Sequence, residues 1–496
     1  MLPYAPDKEL EAKHKLRSYV AHPYGVLSIA TYLKKNTNAE VKIFDANIFG
    51  DWEKELDQVF KSFCPDVTAI SMMFDHSYWA VPKVIDIARG SCIVIGGAAA
   101  TASYQTVLDD NPDIDAVCYG EGEIAFRQLI THGKKIFNDN ICKTPWVGKN
   151  NIVTTPTQLK IVNLDSVIDI DYTLINPDDY GMQPAFSPFS DSHRYGRQFF
   201  IVSSRGCVFK CSFCINSSHD DKTMRYASVD AVINHVRYLV EHYNMTTLTF
   251  YDDQILLNKK RAKELFSRLA EFNLRIECPN GVSVAFIDDE LARLMRTAGM
   301  DTINLAIESG SPYVLNELIN KPLHINQVKP VVNILRKYGF WIQGYFVFGM
   351  PGETHEHRME TVKAIKDWGL DWSCISNACP TRGSILYKTC VENGYIPKDV
   401  GIYGLDMNKY IINGPTQTPE ELVKESYLIN LDVNFVNNYR MKHGDYAVAM
   451  RAFMDVIKRY PNHALAYKYI SCCAQKLAEE KMKSPEWEEY IGDLNG

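Results

Sequence analysis

From residue 24 to about residue 132 the apolar positions alternate between two periods. GVLSIATYLKK (25–35), WEKELDQVFKSF (52–63) and AVPKVIDIA (80–88) repeat their apolar residues every three or four positions and predict helices with one buried face. VKIFDAN (41–47), VTAISMM (67–73), CIVIGG (92–97) and DAVCYG (115–120) are short apolar runs that predict strands. Strands separated by helices of this length imply βαβ units and a parallel, Rossmann-like sheet. Such a sheet usually opens with a strand, yet residues 1–18 hold no apolar run to form one. TPWVGKNNIVTT (144–155) predicts a small hairpin turning at 148–150, and the stretch to 197, rich in Pro, Asp, Ser and Tyr, predicts a connector wrapped on the surface.

A second alternation starts at 198. QFFIVSS, TLTFYDD, LRIECPN, TINLAIES, IQGYFVFGM and SCISNA are strand-like, and stretches of helical period lie between them. Six strand–helix units in a row predict a partial (β/α)6 barrel of the TIM type, whose chemistry gathers at the C-terminal ends of the strands. Polar residues fall there: Asp252, Asp253, Asn280 and Glu308. After 419 the pattern is helical throughout. GDYAVAMRAFMDVIKRYPNHALAYKYI (444–470) resembles a single tetratricopeptide repeat, and equally suits a helical cap on the barrel. The α/β chain thus divides into an N-terminal domain (1–140), a hairpin and connector (141–197), the partial barrel (198–400) and a helical C-terminal region (401–496).

Composition narrows the class. With 46% hydrophobic and 23% charged residues the chain is globular, not disordered, collagenous or coiled-coil. A net charge of −7 argues against broad nucleic-acid or anionic-membrane binding. The apolar stretch at 92–102 is too short to span a bilayer and the first residues are charged, so the expectation is a cytoplasmic protein. Thirteen cysteines without a secretory signal are expected to be mostly buried free thiols. Three are set apart by spacing.

SSRGCVFKCSFCINSS (203–218) carries Cys207, Cys211 and Cys214 as C-x3-C-x2-C just after a predicted strand. Three soft thiolates this close suit an iron–sulfur cluster or zinc. Zinc would need a fourth protein ligand, for which His219 is the nearby candidate; a four-iron cluster would keep one iron open to another molecule.

At this point the chain resembles the radical S-adenosylmethionine (SAM) superfamily, over about 198–390, and specifically its subgroup with an N-terminal cobalamin domain. The triplet has the family's spacing, with aromatic Phe213 before the last cysteine; YDDQILLN (251–258), ESGS (308–311) and GYFVFGMPGET (344–354) resemble its second-, fourth- and fifth-strand motifs. The resemblance implies a 4Fe–4S cluster whose open iron is chelated by the methionine end of SAM. It also implies a 5′-deoxyadenosyl radical and an external one-electron reductant. It places Glu308 and Ser309 at the ribose, Gly344, Gly349 and Gly352 at the adenine side, and Asp252, Asp253 and Asn280 near the methionine ammonium or substrate. Asp252–Asp253 also suit a helix cap, and Glu308 a plain surface acid.

The resemblance extends to the amino end. HPYGVLSIATYL (22–33), with Tyr24 and Gly25, is similar to the opening helix of cobalamin domains, and YGEGEIAF (119–126), with Gly120, Glu121 and Gly122, to their closing segment. Ser71, Gly96 and Gly97 are then placed to line the corrin. DANIFG (45–50) puts Asn47 where cobalamin domains of mutases carry the axial histidine, so no protein histidine is expected on cobalt. A scaffold that has lost its cofactor is the other reading of this domain. GGAAATA (96–102) lacks a dinucleotide fingerprint, which speaks against a nicotinamide.

The implied function is methylation of an unactivated carbon of a small-molecule substrate by way of methylcobalamin. The alternatives are non-methylating radical chemistry (cyclisation, rearrangement or oxidation) and a corrinoid- or redox-sensing binding protein. Tyr180, Phe186, Phe189 and Tyr195 are candidate apolar walls of a substrate pocket, and the helical C-terminus is a candidate docking site for a protein partner.

Overall fold

The computed structural model describes residues 1–3, 21–137, 145–148, 157–181, 197–218, 222–398, 400–402 and 409–482. His219, Phe186, Phe189, Tyr195 and the second half of the expected hairpin lie outside the described residues.

The N-terminal sheet runs β1 (Val67–Ser71), β2 (Cys92–Gly96), β3 (Ala116–Cys118), β4 (Trp146–Gly148) in that order. The first three strands are parallel; β4, the described half of the expected hairpin, pairs antiparallel with β3. Alternate residues of β2 enter two different cores: Ile93 and Ile95 face Trp52, Leu56 and Val84, while Cys92 and Val94 face Leu33, Phe126 and Trp146. VKIFDAN departs from its prediction. Residues 41–45 form no strand among the described residues, where Met1 bonds to this segment: its N donates to Phe44 O (2.6 Å) and its O accepts from Ala46 N (3.1 Å).

In the barrel β5 (Gln198–Ile201), β8 (Thr247–Phe250) and β9 (Arg275–Glu277) form one parallel sheet, and β10 (Thr302–Glu308), β11 (Trp341–Phe348) and β12 (Trp372–Asn377) a second. Val282 joins them, its N–H donating to Asn304 O (2.7 Å) and its carbonyl accepting from Ala306 N (3.0 Å). All six strands are those the apolar pattern predicts. Short β6 (Ser204–Arg205) and β7 (Arg225–Tyr226) pair antiparallel and bracket the cysteine loop. The helix Val229–Tyr243 starts on a Ser228 cap, and it buries Val232, Ile233, Val236 and Leu239, the 3–4 spacing read in the sequence.

The helical C-terminal region covers the open edge of the barrel. Asn434 both accepts from Ser373 N (2.7 Å) and donates to Ser373 O (2.9 Å) on β12, and Arg440 pairs with fully buried Asp371 (2.6 Å). Helices Tyr446–Arg459 and Ala464–Met482 pack through Ala449, Phe453 and Ala466, a core that continues through Phe435 to Trp372. The tetratricopeptide-like pair and the barrel cap are therefore one structure.

The two large domains meet on an aromatic nest. His22 lies 5% exposed among Tyr172, Tyr180, Phe199 and Phe200, and among the described residues neither ring nitrogen has a hydrogen-bond partner. Burial, with Arg197 nearby, lowers its pKa to about 4. A depressed histidine pKa means that stability is complete above the unfolded value near 6.5 and is lost as pH falls toward 4. His22→Phe is expected to raise stability by roughly 1 kcal/mol at pH 8, because two unpaired buried nitrogens disappear. It is also expected to remove a loss on the order of 2 kcal/mol between pH 8 and pH 5. Urea titrations of both proteins at the two pH values check this; equal pH dependence would count against it.

No helix among the described residues is long and apolar enough to cross a membrane.

Candidate active site

The three cysteines sit on a loop that the barrel holds from outside. Ser212, between Cys211 and Phe213, donates its N–H to Ile319 O (2.8 Å) and its hydroxyl to Leu318 O (2.6 Å), and its carbonyl accepts from Leu386 N (2.8 Å). Cys214 N donates to Cys211 O (3.0 Å), a tight turn that brings these two thiols to one side, while Phe213 anchors in the barrel core. Burial pushes the Cys211 thiol up to about 12, against the pull of Lys321, and the thiols feel one another. Among the described residues no three His, Cys, Asp or Glu side chains are gathered tightly enough for a single metal ion. Three thiols on one loop are the soft donor set that an iron–sulfur cluster takes.

Glu308 ends β10 at a bulge and adopts φ +74°, a backbone conformation that a glutamate takes only under constraint. Its carboxylate accepts from Lys321 Nζ at 2.9 Å, and both side chains are buried. The Lys321 ammonium is held above its usual pKa by Glu308 and by Cys211 in spite of burial. Lys321 escaped the sequence reading: it lies 13 residues beyond Glu308, and nothing in its local pattern marks it.

The paired aspartates divide their work. Asp252, 4% exposed, accepts from Ser203 N (2.9 Å), Ser203 Oγ (2.8 Å) and Ser204 Oγ (2.5 Å), and so ties the end of β8 to the start of the cysteine loop. Burial raises its pKa, and these donors lower it. Asp253 opens onto a cavity yet is walled in by protein, and this confinement, with Asp252 beside it, lifts its carboxyl to about 6. Asn216 donates to it (3.2 Å). Neither caps a helix, because Asn258 caps the next one. Asn280 donates to the carbonyls of Tyr251 (3.0 Å) and Asp252 (3.5 Å) and thus holds the turn that carries both acids.

Three expected positions at the SAM side are packed against protein. Ser309 is fully buried on Thr361 (3.1 Å), a Cβ on Gly344 would meet Leu370 and Phe346, and one on Gly349 would meet Leu422 and Tyr410. Gly352 lies in the turn after β11, with Leu318 the nearest side chain. Glu353, which follows, receives the Gly349 N–H and is fully buried, so burial lifts its pKa to about 7.

The N-terminal positions behave as a set. Tyr24, Gly25, Ser71, Gly96, Gly97, Gly120, Glu121 and Gly122 all line one cavity of about 1560 Å³, and so do Cys207 and Asp253 of the barrel. Ordinary ligand pockets span roughly 300–1,000 Å³, so this space suits a corrinoid together with further molecules. Asn47 donates to Leu2 O (3.1 Å) and Asp45 Oδ1 (2.7 Å) and is not in the wall; no histidine is found among the described lining residues. Tyr24 also bridges the domains, its phenol oxygen accepting from Val202 N (3.2 Å) at the end of β5.

Gly97 is where the loops come closest. It has φ +106°, and a Cβ there would stand 2.5 Å from Met72 O, so a side chain is excluded by backbone and by conformation. Gly97→Ala is expected to destabilise the protein by about 2–3 kcal/mol and to weaken cobalamin retention at least about tenfold. Thermal melts and spectrophotometric titration with hydroxocobalamin check this, and parental values in both would refute it.

Residues 201–365 match the radical SAM superfamily model and residues 16–130 the B12 binding domain model. The chain carries a radical SAM domain and a cobalamin-binding domain. This radical SAM protein is 27% identical over 464 residues to cytidylyl-2-hydroxyethylphosphonate methyltransferase of Streptomyces wedmorensis, covering 83% of this chain and 86% of that protein. It is 24% identical over 433 residues to the anaerobic magnesium-protoporphyrin IX monomethyl ester cyclase of Cereibacter sphaeroides, covering 84% of this chain and 66% of the cyclase. Its fold superposes, with a TM-score of 0.64 and 14% identity, on the Kitasatospora setae radical SAM methyltransferase TsrM solved with cobalamin and a [4Fe–4S] cluster, covering 92% of this chain and 97% of TsrM. The radical SAM enzyme takes a 4Fe–4S cluster, SAM and cobalamin, and the cysteine loop and the shared cavity suit them.

Proposed function

We propose that the protein methylates an unactivated carbon of a small-molecule substrate, with SAM as methyl source and cobalamin as carrier. The observation that carries this reading is the single cavity that opens both on the cobalamin-side loops at Ser71, Gly97 and Gly120 and on Cys207 and Asp253 at the barrel mouth. Methyl transfer through a corrinoid needs that shared space, because substrate, SAM and the corrin face must meet away from water.

Cys207, Cys211 and Cys214 would hold a 4Fe–4S cluster, which would supply the electron for reductive cleavage of SAM. Lys321, the cation paired with Glu308 and felt by Cys211, is our candidate for the methionine carboxylate, and Glu308 for the ribose hydroxyls. Asp253 faces the same space, where its carboxyl can take up the methionine ammonium or a substrate donor. Asp252, Asn280 and Ser309 keep the strand ends in place.

A second reading, radical chemistry without methyl transfer, is favoured by the likeness to the cyclase. The test is anaerobic turnover with dithionite, SAM and candidate substrates, with and without cobalamin. S-adenosylhomocysteine together with 5′-deoxyadenosine, the former only when cobalamin is present, supports methylation. 5′-Deoxyadenosine alone, with a product that carries no new methyl group, selects the second reading.

A further inference from the structure

We propose that Glu121 and Glu123 of the cobalamin domain, with Arg205 and Arg225 of the barrel, form a clamp that positions the cluster loop against the corrin site, so that filling either cofactor site tightens the other. The clamp rests on the cofactor assignment above but not on methyl transfer.

Arg205 reaches across the domain boundary to both acids: Nη1 to Glu121 Oε2 (3.1 Å) and Nη2 to Glu123 Oε1 (2.7 Å). Arg225, its cross-strand partner in the β6–β7 pair, donates through both Nη atoms to Glu121, with Nη1 at 3.0 Å from Oε2. Ser28, on the helix Tyr24–Asn36, donates to Glu123 Oε1 (2.7 Å) and accepts from Arg205 Nη2 (3.3 Å), and Arg225 Nη1 donates to the connector carbonyl of Ile161 (2.6 Å). Side-chain exposure is 4% at Glu123, 10% at Arg225, 17% at Arg205 and 20% at Glu121. Burial resists the charge on Glu123, yet Arg205 and Ser28 hold its carboxyl below the usual range.

Position makes these contacts more than a domain glue. Arg205 is two residues before Cys207, and β6 with β7 brackets the whole cysteine loop. Glu121 and Glu123 alternate with Gly120 and Gly122 in the cavity wall. A Cβ on Gly122 would strike Ile29, and one on Gly120 would come within 2.6 Å of Gln158, so that turn has little room to move independently of its carboxylates. A corrinoid seated on the turn orders the acids; the acids order the two arginines; and the arginines fix the frame of the cluster loop. Coupling of this kind is reciprocal. Guanidinium geometry is required, because only a planar fork serves two carboxylates at once.

The experiment is a hydroxocobalamin titration of the full chain, followed by the visible spectrum. It is run on iron-free protein and on protein reconstituted with iron and sulfide. In the parent, cluster loading is expected to tighten cobalamin binding by at least tenfold. In Glu123→Gln and Arg205→Lys that ratio is expected to shrink to within twofold of one, while in Arg237→Gln, at the exposed Arg237–Glu271 pair, it stays parental. A ratio near one in the parent, or a parental ratio in both clamp variants, overturns the proposal. If Arg205→Lys fails to fold or to load iron, Arg225→Lys is read in its place with the same criteria. Because the readout is binding, a failure to find methylated product leaves it intact.

Discussion

Cys211→Ala leaves a folded protein that no longer assembles its cluster and forms no measurable 5′-deoxyadenosine. The loop should survive, because Ser212 keeps its three bonds to Ile319, Leu318 and Leu386, none of which involves a thiol. The lost thiol is small and the loop is tied at both ends, so the stability cost is about 1–2 kcal/mol. Chemistry suffers far more. Two thiolates are too few to retain a cluster, and 5′-deoxyadenosine formation is expected to fall by at least about a thousandfold, some 4 kcal/mol of barrier. Iron and sulfide counts after anaerobic reconstitution, with chromatographic assay of 5′-deoxyadenosine, decide the matter. Parental iron and parental cleavage in the variant would remove Cys211 from the ligand set.

Lys321→Met has the second largest expected effect, and it acts on folding as well as on SAM. The variant leaves the Glu308 carboxylate buried without its cation at 2.9 Å. Breaking one side of a buried pair costs about 3–5 kcal/mol. In a chain of this size that is a melting temperature lowered by roughly 10 °C. Glu308→Gln strands the lysine in the same way. The double variant Lys321→Met/Glu308→Gln is expected to recover about 1–3 kcal/mol relative to the sum of the singles. All three should bind SAM more weakly. Melts of the four proteins close the cycle, and additivity would mean that the two side chains do not depend on each other. Unchanged SAM affinity in Lys321→Met would separate the lysine from the ligand and leave it a purely structural cation.

What was legible in the chain was whatever depends on neighbours in sequence. The six barrel strands follow from apolar runs of four to eight residues, and the cysteine triplet from covalent spacing, which limits how far three thiols can separate. Gly97 was singled out as a corrin-lining position; that Met72 O fills the place its Cβ would take is visible only in the fold.

Other assignments needed partners from far along the chain. Asp252 and Asp253 are adjacent and chemically identical; only the fold turns one into the Ser203–Ser204 loop and the other toward the cavity. Gly344 and Gly349 looked like room for a nucleoside, but the space beside them is taken by Leu370 and Leu422, side chains 26 and 73 residues further on. VKIF has strand composition and no ladder among the described residues, since a strand is a property of a pair.

Sequence alone therefore determined the barrel strands, their order and the three thiols close enough to share one loop, because periodicity and short spacing act within a few residues. Which acid faces the substrate space, which lysine sits on Glu308, and which carboxylates hold the cluster loop to the cobalamin domain were decided only by tertiary structure. Those choices depend on charges and hydrogen bonds between side chains far apart in the chain, 104 residues for Glu121 and Arg225 and 177 for Ser28 and Arg205, and such partners leave no local periodic trace.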